Sequence, residues 1–161
     1  ELLAAIGHLQ CELEQFEDAS KTYSRLLEIA PANAVARFNL AVAHEKLGHW
    51  DGAAKGFEKV LNEDPERFEA RLGLAICLLH LEKPEPALEA FNLCLKKNEN
   101  DETARFGKAV ALQLLWRFDE AAEIYQKALA GNPKSEEALT NLIAISMARS
   151  VGADTAGAKP R

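Results

Sequence analysis

A repeat of 34 residues runs through the chain, and it limits the folds that the chain can adopt. The clearest sign is a column of alanines at this interval, with an aromatic residue four positions after each. The alanines are Ala19, Ala53, Ala87 and Ala121, and the aromatic residues are Tyr23, Phe57, Phe91 and Tyr125. Pro31, Pro65 and Pro133 keep the same interval, with Glu99 in the place of a proline. Such a period is typical of proteins in which each unit buries its apolar face against its neighbours.

Each repeat is predicted to form two helices joined by a short turn. In the second repeat the first helix covers about residues 34–47 and the second about residues 51–62. Gly48 follows the first helix, and Asp51 is suited to cap the second. Pro65 closes the unit because proline disfavours helical conformation in the residue before it.

These columns resemble the signature of the tetratricopeptide-repeat (TPR) family, which is W-x2-L-G-x2-Y, then A-x3-F and then P within 34 residues. At these positions the second repeat has Arg37, Leu40, Ala41, His44, Ala53, Phe57 and Pro65. The resemblance implies an all-α fold, a right-handed α-solenoid of about four helix-turn-helix repeats and one C-terminal helix. The expected TPR domain is 1–149, with repeats at about 1–33, 34–67, 68–101 and 102–135 and a final helix at 136–149.

The final helix, at 136–149, and the residues after it, 150–161, have different compositions. The helix at 136–149 is apolar enough that another helix, subunit or domain is expected to follow it. Its large apolar residues are Leu139, Leu142, Ile143 and Ile145. Residues 150–161 are rich in Gly and Ala and are predicted to form a flexible C-terminal tail.

Small residues recur where paired helices are expected to approach closely. The first helices carry Gly7, Ala41, Ala75 and Ala109 at one column. We expect this column to face the alanines of the second helices, because small side chains allow close helix packing. The aromatic column then fills the space beside them.

A second apolar stripe on the first helices is the candidate functional surface. It is displaced around each helix from the stripe that packs in the core, at spacings of three or four residues. In TPR proteins the first helices line the concave surface, so the resemblance implies that this stripe faces a groove. The predicted partner-binding residues, called the groove stripe below, are Val35, Phe38, Val42, Leu72, Ile76, Leu79, Phe106 and Val110. The same columns also hold the polar residues Glu45, Glu69, Thr103 and Gln113.

Two further columns on the first helices contain polar residues. Arg37, Arg71 and Arg105 are a possible polar rim of the groove, either for acidic groups of a partner or for Glu residues on neighbouring helices. A second column reads Asn39, Gly73, Gly107 and Asn141. It matches the asparagine ladder of the O-linked N-acetylglucosamine transferase superhelix only at its two ends.

Several function classes are not expected. The net charge of −6 argues against nucleic-acid binding, and no apolar run approaches the roughly 20 residues of a membrane span. The four histidines lack metal-ligand spacing, and no phosphate loop or nucleophile elbow is present. We therefore predict no metal, no cofactor and no catalytic residues, and a protein that is not an enzyme. Cys11, Cys77 and Cys94 form no CxxC pair, which favours reduced thiols and the cytoplasm.

The sequence favours a protein–protein interaction scaffold or adaptor that binds a peptide or helix of a partner in a hydrophobic concave groove. A contiguous apolar patch marks contact without naming the partner, so flanking chain or a second copy could also cover it. Two alternatives stay open. The chain could be the TPR region of a larger multidomain enzyme, used for substrate positioning or regulation, or a self-assembling scaffold that forms a homo-oligomer.

Overall fold

A computed structural model describes the backbone of residues 1–157 and the side chains of residues 1–151. This part of the chain is all helical. The helices are α1 Leu2–Glu12, α2 Phe16–Ile29, α3 Ala34–Lys46, α4 Trp50–Glu63, α5 Phe68–His80, α6 Pro84–Lys97, α7 Glu102–Leu114, α8 Phe118–Gly131 and α9 Glu136–Gly157. Within the same residues, no helix is both long and apolar enough to cross a bilayer.

The helices stack in chain order as four hairpins followed by a ninth helix. Each helix packs mainly on the helices before and after it, and the first helices of successive hairpins also touch, as α3 touches α5 and α5 touches α7. Because the main contacts join near neighbours in the chain, the protein is an α-solenoid. The predicted fold class is confirmed.

The turn inside each hairpin places one residue in the left-handed region. At this column, Glu14, Gly48, Glu82 and Trp116 have φ values of 57°, 72°, 56° and 61°. In the second repeat the N–H of Gly48 donates to Glu45 O at 3.0 Å, and the next N–H donates to His44 O at 2.8 Å. Glycine adopts this conformation most readily, so Gly48 ends α3 at little conformational cost.

The aromatic column forms the main packing contact between repeats. Its four rings are at most 1% exposed. The ring of Phe57 lies against Gly73 of the next first helix, and the ring of Phe91 lies against Gly107. A Cβ atom added at Gly73 or Gly107 would lie 2.5 Å or 2.2 Å from the ring Cζ. Each ring therefore fills the space that a missing side chain leaves.

The two tyrosines of this column stand opposite asparagines instead of glycines. Asn39 Nδ2 donates to the hydroxyl of Tyr23 at 3.1 Å. Asn141 has the equivalent position next to Tyr125, although its Nδ2 donates to Glu137 O at 3.0 Å. The Tyr125 hydroxyl is buried without a hydrogen-bond partner among the described residues. Burial, together with the nearby charge of Glu137, raises the pKa of Tyr125 to about 12. The column with asparagine only at its ends thus has a packing explanation.

Small residues hold the two helices of a hairpin together. The predicted alanines of both columns are at most 1% exposed. In the second repeat Ala41 of α3 also lies against Gly56 of α4, where an added Cβ atom would come within 2.7 Å of the Ala41 Cβ. Gly56 does not recur as glycine in the other repeats, so the repeat pattern did not single it out.

The C-terminal end differs from the prediction. α9 continues to Gly157, so residues 150–157 are helical, and the predicted helix end at 149 and flexible tail from 150 are corrected there. The segment contains Gly152 but no proline up to position 157, and one glycine inside a helix costs only about 1 kcal/mol. Arg149 of α9 also pairs with Asp119 of α8. The rest of the predicted tail, residues 158–161, lies outside the described residues.

Replacing Gly107 by alanine is expected to destabilise the protein by about 1–3 kcal/mol, because the new methyl group would overlap the ring of Phe91. Urea unfolding followed by circular dichroism measures this change. Gly131→Ala is the matched control, since no atom lies within 4 Å of a Cβ added there. Equal stability of the two variants would contradict the packing role of the ring.

Candidate functional site

The groove stripe lies on the first helices, with one side in the core and the other side accessible. Val35 is 61% exposed, and the other seven residues are half-buried. Phe38 and Val42 pack on the hydrophobic cluster of the second repeat, and Leu72 and Ile76 pack on that of the third. The stripe is therefore part of each repeat's own packing and not a separate layer on its surface.

Two phenylalanines of the stripe have matching surroundings. The ring centroid of Phe38 is 5.9 Å from that of Phe57, and the centroid of Phe106 is 5.8 Å from that of Tyr125, both at a tilt. One face of Phe38 is covered, because Arg67 places its guanidinium carbon 3.9 Å from the ring centroid. The sequence pattern did not indicate Arg67, since arginine does not recur at that column.

Part of the stripe lines a cavity of about 880 Å³ in the C-terminal half of the protein. Four residues of the stripe lie in its wall: Ile76, Leu79, Phe106 and Val110. The other four residues of the stripe, Val35, Phe38, Val42 and Leu72, do not line this cavity. The structure thus places a cavity at the part of the stripe that belongs to the third and fourth repeats.

Two polar side chains in the groove columns lack hydrogen-bond donors. The carboxylate of Glu45 is half-buried and makes no hydrogen bond or ion pair with the described residues. Burial raises its pKa, and the charges of Lys46 and His80 offset this only in part. Gln113 occupies the position equivalent to Glu45 two repeats later, and its Oε1 is buried without a hydrogen-bond partner among the described residues. Gln113 Oε1 is thus an unpaired buried acceptor, and such acceptors destabilise a fold.

The arginine column bonds within the chain. Each guanidinium donates to the backbone oxygen of the residue six positions earlier, which closes the preceding repeat. The pairs are Arg37 with Pro31, Arg71 with Pro65, and Arg105 with Glu99. Arg37 also pairs with Glu63, and Arg105 donates to Asn100 Oδ1 at 2.5 Å. The acceptors are thus mainly backbone carbonyls, and these contacts brace the loops between repeats.

The cysteines and histidines form no cluster with evident chemistry. Cys77 and Cys94 are buried, Cys11 is half-buried, and all three are free thiols. Burial raises the pKa of Cys77 to about 12 and that of Cys94 to about 11, so both thiols stay protonated at neutral pH. In the described part of the chain, no three His, Cys, Asp or Glu side chains are grouped so that they could hold a metal ion.

The comparisons with known proteins agree with this architecture. Family models described as "TPR repeat" and "Tetratricopeptide repeat" match residues 7–48 and 48–112, and together they span more than half of the chain. No curated protein sequence matches it.

Several solved structures are similar to the fold. A tetratricopeptide repeat protein from Parabacteroides merdae ATCC 43184 is 22% identical with a TM-score of 0.78, and the match covers 95% of this chain but only 60% of that one. MamA 41-end from Desulfovibrio magneticus RS-1 is 19% identical with a TM-score of 0.84, covering 92% and 84% of the two chains. YrrB, described as a TPR protein with an unusual peptide-binding site, is 24% identical with a TM-score of 0.78, covering 92% and 76%. At these identities the likeness concerns the fold.

Glu45→Gln is expected to raise the melting temperature at pH 7, because the ionised carboxylate is partly desolvated. Since burial raises the pKa of Glu45 above its ordinary value of 4.5, the folded state binds more protons. Stability is therefore lost as pH rises through the interval above 4.5, and the gain from glutamine should shrink below that value. Thermal unfolding at pH 7 and at a pH below 4.5 measures this difference in melting temperature. The exposed Glu58→Gln is the control, and an equal gain there would contradict the role of burial.

Proposed function

Because this chain belongs to the tetratricopeptide-repeat family, we propose that it is a protein-binding scaffold that holds a peptide or helix of another protein on its groove stripe. Family membership supports a protein-binding role. The observation that carries the finer proposal is the set of half-buried apolar residues on α3, α5 and α7, which are first helices that contact one another. YrrB, which shares the fold, is described as having a peptide-binding site, and this description supports the same kind of ligand here.

The physical basis of binding would be burial of apolar surface on a preformed support. Residues such as Ile76 and Leu79 are held by their own repeat, so they lose little freedom when a partner docks. Each large apolar side chain of the partner would contribute about 1.5–3 kcal/mol before ordering costs. The cavity of about 880 Å³ offers room for such side chains.

A triple variant, Val42→Thr with Ile76→Thr and Val110→Thr, tests the groove. Threonine keeps a β-branched shape and helical packing, whereas a charged residue would disturb core contacts at these half-buried positions. We expect the variant to retain its helicity and to lose at least about tenfold in partner binding, since three apolar contacts become polar. Quantitative pull-down from the native source with mass spectrometry measures this loss.

The control for this variant is Ile29→Thr, because Ile29 is 70% exposed at the end of a second helix, away from the stripe. It should capture the same proteins as the unmodified chain. Capture that survives the triple substitution would move the binding surface away from the groove stripe.

A second candidate function is self-assembly, and exposed apolar residues on the terminal helices favour it. These residues are Leu2, Ile6 and Leu9 on α1, Leu13 directly after it, and Leu139, Ile143 and Met147 on α9. Ile143 stands at the column where the hairpins have glycine or alanine, so a helix could not approach it as closely as α4 approaches α3.

Size-exclusion chromatography with light scattering tests this second candidate. If α9 joins two copies, the unmodified chain should elute as an oligomer and Ile143→Glu as a monomer, because a buried unpaired carboxylate opposes the contact. A monomeric mass for the unmodified chain at high concentration would exclude self-assembly.

A further inference from the structure

An arginine of the chain itself already occupies one aromatic site of the groove stripe. Arg67 precedes α5 and reaches back over the ring of Phe38, on the preceding first helix. A guanidinium at 3.9 Å from a ring centroid is a cation–π contact. This contact shows that a guanidinium group fits on the exposed face of a stripe phenylalanine.

The same ring position recurs at Phe106 without the arginine. Phe106 rests on Tyr125 as Phe38 rests on Phe57, with nearly equal centroid distances of 5.8 Å and 5.9 Å. Ser135 follows Phe106 by the same interval at which Arg67 follows Phe38, and Ser135 is too short to reach over the ring. Both Phe106 and Ser135 line the cavity of about 880 Å³. Among the described residues, Arg67 alone forms a cation–π contact.

The charges on this side of the cavity are acidic. Glu102, one turn before Phe106, and Glu137, at the start of α9, both line it, and both are exposed without an ion pair among the described residues. Along all five first helices, the charged residues in the groove columns are Glu1, Glu45, Glu69 and Glu137. Apart from His8 and Cys11, no other ionisable residue occupies these columns, so they contain no lysine or arginine.

The three cations that line the cavity do not lie over the ring of Phe106. Lys127 pairs with Glu123 at 2.7 Å, and Arg105 bonds to the backbone and to Asn100. Lys108 lines another part of the cavity, because it follows Phe106 by two residues and so lies about 200° from it around α7. None of these three groups therefore takes the place over the Phe106 ring.

We infer that the cavity at Phe106 binds an arginine side chain of the partner segment, with its guanidinium over the ring and its N–H groups toward Glu102 and Glu137. This inference rests on the proposed function and names the chemistry of the bound segment. Arginine fits better than lysine because its planar, weakly hydrated guanidinium stacks on a ring and donates several hydrogen bonds at once. The bound segment combines apolar residues for Ile76 and Val110 with one arginine.

Two fluorescein-labelled synthetic peptides test the inference. Both have one short sequence of Leu, Ala and Ser, with a central arginine in one and citrulline in the other. Citrulline has nearly the same shape but no charge, so the pair isolates recognition of the cation. Fluorescence anisotropy should show that the unmodified chain binds the arginine peptide about tenfold more tightly.

Three variants assign the preference to this cavity. Phe106→Leu removes the ring, and Leu72 shows that the column accepts leucine. Ser135→Arg supplies an internal arginine, as Arg67 does in the second repeat, and should block the cavity. Both are expected to bind the two peptides about equally. Trp116→Leu is the control, because it removes an exposed ring that does not line the cavity, and it should keep the tenfold preference. Circular dichroism confirms that each variant is folded.

The outcomes separate the inference from the proposed function. Equal binding of both peptides by the unmodified chain would overturn the arginine cavity and leave the apolar groove standing. A preference that survives both Phe106→Leu and Ser135→Arg would also overturn it, because the cation would then bind elsewhere. If the unmodified chain bound neither peptide, the arginine cavity would be overturned, and the pull-down with the triple variant would decide separately whether the groove binds a partner.

Discussion

The contact between each buried aromatic ring and the next first helix sets the arrangement of the solenoid. At two junctions the ring enters the space above a glycine, and at the first junction a tyrosine hydroxyl meets an asparagine amide. Because each ring is in close van der Waals contact with the next first helix, neighbouring repeats cannot shift along each other without a clash. The ring therefore fixes both the spacing and the rotation of neighbouring repeats. The first helices stay in register for this reason, and an apolar stripe on separate helices becomes one surface.

The same rings also support the surface from below. Phe38 rests on Phe57 and Phe106 rests on Tyr125, so part of the groove stripe stands directly on the inter-repeat contact. Changes at these stripe residues are therefore expected to affect folding as well as the proposed binding. Glu45 and Gln113 stand out in this setting, because Glu45 is a partly desolvated carboxylate and Gln113 Oε1 is a buried acceptor without a partner among the described residues.

Much of this architecture could be predicted because it repeats. The alanine columns, the turn at Gly48 and the half-buried position of Ile76 follow from a 34-residue interval and helical spacing. Contacts that occur once, such as Arg67 over Phe38 or Gly56 against Ala41, leave no trace in the period. The end of α9 differs from the prediction for another reason. The composition of residues 150–157 indicates a flexible tail, but one glycine inside a helix does not end it. The predicted binding role of the stripe stays a prediction.

At some junctions a phenylalanine ring lies on a glycine, and at the first junction a tyrosine meets an asparagine. This difference affects which repeats could be duplicated in the gene. Tandem duplication of the third repeat would bring Phe91 against a copy of Gly73, which leaves space for the ring. Duplication of the second repeat would bring Phe57 against a copy of Asn39, whose side chain would occupy the space that the ring needs. Growth of the array by in-frame copying is thus open at its centre and obstructed nearer its amino-terminal end.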